Sequence, residues 1–198
     1  MTKERNFLIH PSYIIMFLLL AGVSALFLGF SAAYLYSRLD QNIPPINLPS
    51  LFYFNTLILL GSSYTLHWAK RSYLEDNTAN YKRALTITMV LTWCFLLSQI
   101  MAWKQLVASD ILLNYNNMAS YLYLISGLHF LHVIAGIPFL IIFMVNAARN
   151  LKSPVSVLIY FSDNQKKRRL NLFSIYWHYL DGLWIYLVLF FLINYLVQ

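Results

Sequence analysis

The chain has 198 residues, of which 60% are hydrophobic and 11% charged, with a formal net charge of +7. Soluble domains carry about 25% charged residues, so this composition excludes a soluble globule and points to an all-α polytopic membrane protein. The single cysteine, Cys94, excludes an intrachain disulfide and a cysteine-based zinc site.

Five apolar runs approach the roughly 20 residues of a bilayer crossing. They lie at about 13–36, 51–69, 84–103, 119–146 and 172–197, which predicts one bundle of five transmembrane helices over 1–198. Run 1 follows the basic stretch MTKERNF and contains Ser31-Ala32-Ala33, two features shared with signal peptides. Its apolar part is longer than the usual 7–15 residues, so it reads as a retained helix. Within it, Ala21, Ala25, Gly29 and Ala33 put a small residue at every fourth position. Such a face admits a close neighbour, either run 2 of this chain or another subunit. The connector QNIPPINLPS holds three prolines and predicts extended backbone.

Runs 2 and 3 end in Trp68 and Trp103, and run 5 carries Trp177 near its start, all three placed as interfacial anchors. Trp93 and Trp184 lie deeper, where their indole N–H groups need acceptors. Cys94, inside run 3, reads as a small buried hydrophobe. The linker around SPVSVLIYFSDNQ is too short for a soluble domain and contains an apolar piece suited to the membrane interface.

Basic residues set the orientation. Lys3, Arg5, Lys70, Arg71, Lys82, Arg83, Arg149, Lys152, Lys166, Lys167, Arg168 and Arg169 fall on one side, and only Arg38 and Lys104 on the other. The N-terminus is predicted inside and the C-terminus outside. The positive charge therefore calls for no nucleic acid; KKRR at 166–169 borders run 5, where it sets topology and meets anionic headgroups.

Polar residues inside the runs are few. Run 4 reads SGLHFLHVIAG, with His129 and His132; run 5 reads YWHYLDGLW, with His178 and Asp181. Each pair is spaced i, i+3 and shares a helix face. A carboxylate in lipid costs roughly 2.5–3.5 kcal/mol on insertion scales and needs a partner. The spacing predicts that Asp181 pairs with His132 or His129 and braces runs 4 and 5. Two histidines and one aspartate do not by themselves make a metal site, and histidines on one helix do not straddle a haem. A proton relay through the membrane lacks stepping stones beyond Asp181, where the chain reads GLWIYLVLFFLINYLV. No nucleophile–base pair or phosphate loop is present, so no catalytic, cofactor-binding or metal-binding residue is assigned.

These same segments carry a family resemblance. SGLHFLHVIAG, with Gly127 and Gly136, resembles the T-G-x-H-x-x-H-V-x-x-G helix of subunit III of the haem–copper cytochrome c oxidases. YWHYLDGLW resembles that family's Y-W-H-F-V-D-x-x-W signature at Tyr176, Trp177, His178, Asp181 and Trp184. NTLILLGSSYTLHWA and GFSAAYLYSRL are similar to its weaker motifs, and five runs match its short bacterial form. The resemblance implies a non-catalytic subunit in a bacterial inner membrane, without haem or copper of its own. Partner subunits I and II would carry those cofactors, with subunit I the direct neighbour. It also implies bound phospholipid in a cleft and support of proton entry during oxygen reduction and proton pumping.

Two positions depart from the family. A membrane glutamate is replaced by Val23, or by Ser24 with a one-residue slip, and Ala102 stands where Q-A-x-E-Y has its acid. The electron donor is read elsewhere, so a quinol oxidase subunit or the subunit-III-like partner of a nitric oxide reductase are rivals. A small secondary transporter is a rival of another class, but such folds show paired broken helices, and Pro138 is the only proline within a run.

Overall fold

The computed structural model describes residues 10–41, 43–151 and 153–197. Lys3, Arg5 and Lys152, which entered the charge count, lie outside them. The described chain is all helix and turn: α1 Pro11–Gln41, α2 Ser50–Leu74, α3 Thr78–Ala108, α4 Asn117–Asn150, α5 Pro154–Ser162 and α6 Asn164–Leu196. The helix starts follow local chemistry. Pro11 and Pro154 open α1 and α5, where a missing N–H costs nothing. Asn77, Asn116, Ser153 and Asp163 cap α3, α4, α5 and α6 with side-chain oxygens.

Asp163 forms the one-residue joint between α5 and α6. The Gln165 and Lys166 amides donate to its Oδ1 at 2.8 and 3.3 Å. The Gln165 amide bond is the chief cause that holds its carboxyl below its ordinary pKa, with the amide and ammonium of Lys166 helping. A lowered folded-state pKa means that the cap contributes fully above the ordinary carboxylate range and is lost as pH falls through the lowered value. Acidification will therefore lower amide-exchange protection at Gln165 and Lys166 before the interior of α6. Equal loss along the helix would contradict this.

Contacts between helices give the topology. Asn55–Gln99, Thr65–Thr88 and Tyr73–Tyr81 pair α2 with α3 antiparallel. Thr56–Trp184 and Ser62–Trp177 set α2 antiparallel to α6. Asn171–Tyr13, Ser24–Tyr179 and Arg38–Asn194 run in the same order along α1 and α6, which are parallel. α4 opposes both, through Asn117–Ser37 and Phe27–His132 on α1 and through Tyr176–His132 on α6. The five long helices thus alternate up and down.

Four of the described helices, α1, α3, α4 and α6, are long and apolar enough to cross a membrane. α2 is not among them, although run 2 predicted a span there. Its inner side carries Asn55, Ser62 and Thr65, all buried, and this polarity dilutes its hydropathy. The sixth helix, α5, is the apolar piece of the linker.

Several expected placements differ. Trp177 is buried at 2% exposure instead of anchoring at an interface, and Trp93 lies on the outer surface of α3 at 53%. Cys94 is exposed, not buried. Of the two neighbours open to the small-residue face of α1, run 2 does not cover Ala21, Ala25 and Gly29, which lie outward, while Ala33 is half-buried. Lipid and protein interior are equally apolar, so the helix surface that faces the core is not marked by hydrophobicity. That removes the usual signal for burial.

Candidate functional site

The bundle centre is aromatic. Trp184, fully buried, stacks on Phe52 of α2 (5.5 Å, 17°) and meets Phe95 of α3 edge-on (5.3 Å, 86°). His129 of α4 lies against the same indole (5.0 Å) and against Phe95 (5.8 Å). One side chain of α6 therefore touches three other helices. Its Nε1–H donates to Thr56 Oγ1 at 3.2 Å, and Trp177 Nε1–H donates to Ser62 Oγ at 3.0 Å. Both indole donors are satisfied by hydroxyls of α2.

The predicted polar residues do not meet as expected. His178 Nδ1 shares a 2.6 Å hydrogen bond with Ser63 Oγ of α2. The Asp181 carboxyl is 4% exposed, and its Oδ2 has no partner among the described residues. Both ring nitrogens of His129 are likewise unpartnered. His132 turns back on its own helix, its Nδ1–H donating to the Leu128 carbonyl at 2.7 Å. The expected Asp181–His132 or Asp181–His129 bond is therefore absent. His178 reaches α2, and the two α4 histidines bond neither it nor Asp181.

Ser63, Ser62 and Thr56 are the residues that sequence reasoning missed. The signal for the two serines was the cluster of hydroxyls in GSSYT, residues 61–65; Thr56 stood alone beside Asn55. The departures from the family also have places: Val23 lines a cleft, Ser24 Oγ bonds Tyr179 Oη at 2.7 Å, and Ala102 is fully buried. Of the signature glycines, Gly127 has free space where a Cβ would stand, whereas a Cβ at Gly136 would come within 2.9 Å of Trp177. Tyr176 Oη–H donates to the His132 carbonyl at 2.9 Å and ties α6 to α4.

The arrangement braces helices; among the described residues no group of three His, Cys, Asp or Glu is placed to hold a metal ion. An unpartnered buried carboxyl oxygen is a cost, and an apolar side chain of similar volume removes it. Asp181→Leu will therefore change the stability of the chain by no more than about 1 kcal/mol, the worth of a single hydrogen bond. Thermal unfolding in detergent measures this. A collapse of stability would show that Asp181 is a brace after all.

A cleft of about 670 Å³ opens between α1, α4 and α6. Val23, Phe139, Phe143 and Tyr176 form apolar walls, and Lys166 and Arg169 line it at the end beside α5.

Comparison with known proteins agrees with this architecture. The family described as cytochrome c oxidase subunit III matches residues 13–196. Cytochrome c oxidase subunit 3 of Pelomedusa subrufa is 29% identical over 188 residues, 88% of this chain and 66% of the relative. That of Ornithorhynchus anatinus is 30% identical, covering 81% of this chain and 61% of the relative. That of Thermostichus vulcanus is 29% identical, covering 90% and 86%. The chain thus spans just under two thirds of the length of the first two and most of the third. With a match that runs through all five long helices, the chain belongs to the cytochrome c oxidase subunit III family.

Proposed function

We propose that this chain is the non-catalytic subunit III of a proton-pumping terminal oxidase in a bacterial plasma membrane. The observation that carries the reading is the family match over residues 13–196, joined to a bundle centre built for bracing. In this reading α2 is the fifth span, since it lies along α3 and α6 with its polar side inward. The N-terminus is inside and the C-terminus outside. Haem and copper belong to partner subunits I and II.

The exposed small-residue face of α1, at Ala21, Ala25 and Gly29, supports a direct contact with subunit I. The cleft suits a phospholipid, with acyl chains against Phe139 and Phe143 and its phosphate near Lys166 and Arg169. Support of proton entry would then come through stabilising subunit I, because Val23, Ser24 and Ala102 leave no carboxylate at the two departing family positions.

Purification of the complex through a tag on this chain tests the proposal. Subunits with haem a and a dinuclear copper centre are expected, seen in the visible spectrum and the subunit composition. A quinol site without the copper subunit would move the assignment to a quinol oxidase. A stable homo-oligomer free of any haem protein would overturn it in favour of a transporter.

A further inference from the structure

Helix α5 has two unlike faces. Val155, Leu158 and Ile159, at i, i+3 and i+4, point outward and are 70%, 68% and 64% exposed. Tyr160 and Phe161 point inward at 2% and 9%. The rotation is fixed: Tyr73 Oη–H donates to the Tyr160 carbonyl at 2.9 Å, and Phe161 meets the Tyr73 ring edge-on at 5.0 Å. The Lys166 ammonium sits 4.4 Å from the Tyr160 ring centroid. Nine residues are too few for a helix to persist alone, so α5 depends on its two surfaces being covered.

We propose that α5 is an interfacial membrane anchor, its Val155–Leu158–Ile159 face inserted into the leaflet on the side where the basic residues gather. Depth supports this. Tyr73, which holds α5, lies 13 residues beyond Leu60, the middle of run 2, or about 20 Å along α2. That is just outside the half-thickness of the hydrocarbon core, about 15 Å, where interfacial helices lie. Charge supports it as well. Lys166, Lys167, Arg168 and Arg169 lie near the start of α6, Lys70 and Arg71 near the end of α2, and Lys82 Nζ donates to the Leu151 carbonyl beside α5; Asp76, Glu75 paired with Arg71 and Asp163 beside Lys166 offset only part of this charge. This end of the bundle is therefore complementary to anionic headgroups.

A nitroxide at position 158 reads the environment directly. The label is placed by Leu158→Cys in a Cys94→Ser background, in the complete oxidase complex in phosphatidylglycerol-containing vesicles. The same complex without the new cysteine is subtracted. Collision with oxygen should exceed collision with a water-soluble nickel chelate at least several-fold, as for a side chain in acyl chains. Dominant nickel collision would place α5 in water, and weak collision with both would place it beneath a protein partner; either overturns the proposal. If the Leu158→Cys complex does not assemble, Val155→Cys carries the same readout.

Discussion

Truncating Trp184 to alanine will destabilise the bundle by about 3 kcal/mol, the low end of the range for buried Trp and Phe truncations. The low end applies because part of that range is transfer from water, and helix association in lipid gains little from transfer. What remains is the cavity and the lost contacts with Phe52, Phe95 and His129 on three helices. The cavity falls beside the two unpartnered nitrogens of His129 and frees the Thr56 hydroxyl, so a water can occupy it, which also favours the low end. Trp184→Phe separates packing from the hydrogen bond. It keeps most of the ring contacts, loses the bond to Thr56, worth about 0.5–1.5 kcal/mol, and leaves a cavity smaller than that of alanine. Thermal unfolding of the purified chain in detergent measures both. If the two variants are equally weakened, the hydrogen bond outweighs the packing and this account of the centre is wrong.

Hydropathy made the long helices legible, because a segment must be apolar over its length to enter lipid. It was weakest for α2, whose inward Asn55, Ser62 and Thr65 serve the bundle at the expense of the span signal. The apolar piece at Pro154–Ser162 was also visible, for the same reason.

Orientation of each helix about its axis was not legible. Each residue turns a helix by about 100°, and only a contrast between core and solvent tells which side is inward. Lipid supplies no such contrast, so Cys94 read as buried and faces outward, and the depth of Trp93 along its span did not tell which side it takes. The chemistry of Asp181 and His178 was legible, but the partner of His178 was not. Ser63 resembled any helix hydroxyl that bonds the carbonyl four residues back, as Thr56 does with Phe52. Only the packing of α2 against α6 turns it toward His178.

Gly136 carries the second large effect, and here two terms oppose. Glycine within a helix costs about 0.8–1.0 kcal/mol relative to alanine, so alanine would be favoured if space allowed. Space does not allow it. The added Cβ would stand 2.9 Å from Trp177 Cζ3 and 3.4 Å from both Trp177 Cε3 and Tyr176 Cε1. Trp177 cannot retreat freely, since its Nε1–H is held by Ser62 and its ring is packed on Phe173. Tyr176 is held by the His132 carbonyl. Overpacking of this kind costs typically 1–3 kcal/mol, which cancels or exceeds the propensity gain for alanine and dominates for larger side chains. Gly136→Val, with a stiff β-branch against the same ring, will therefore lose about 2–3 kcal/mol. Trp177→Phe supplies the control. Alone it leaves Ser62 without its donor, but combined with Gly136→Val it removes the clash. The double variant should be less destabilised than the sum of the singles by about 0.5–3 kcal/mol, the range for residues in contact. Strict additivity would mean that the Gly136 substitution is absorbed elsewhere, and that the close approach of α4 and α6 does not depend on this glycine.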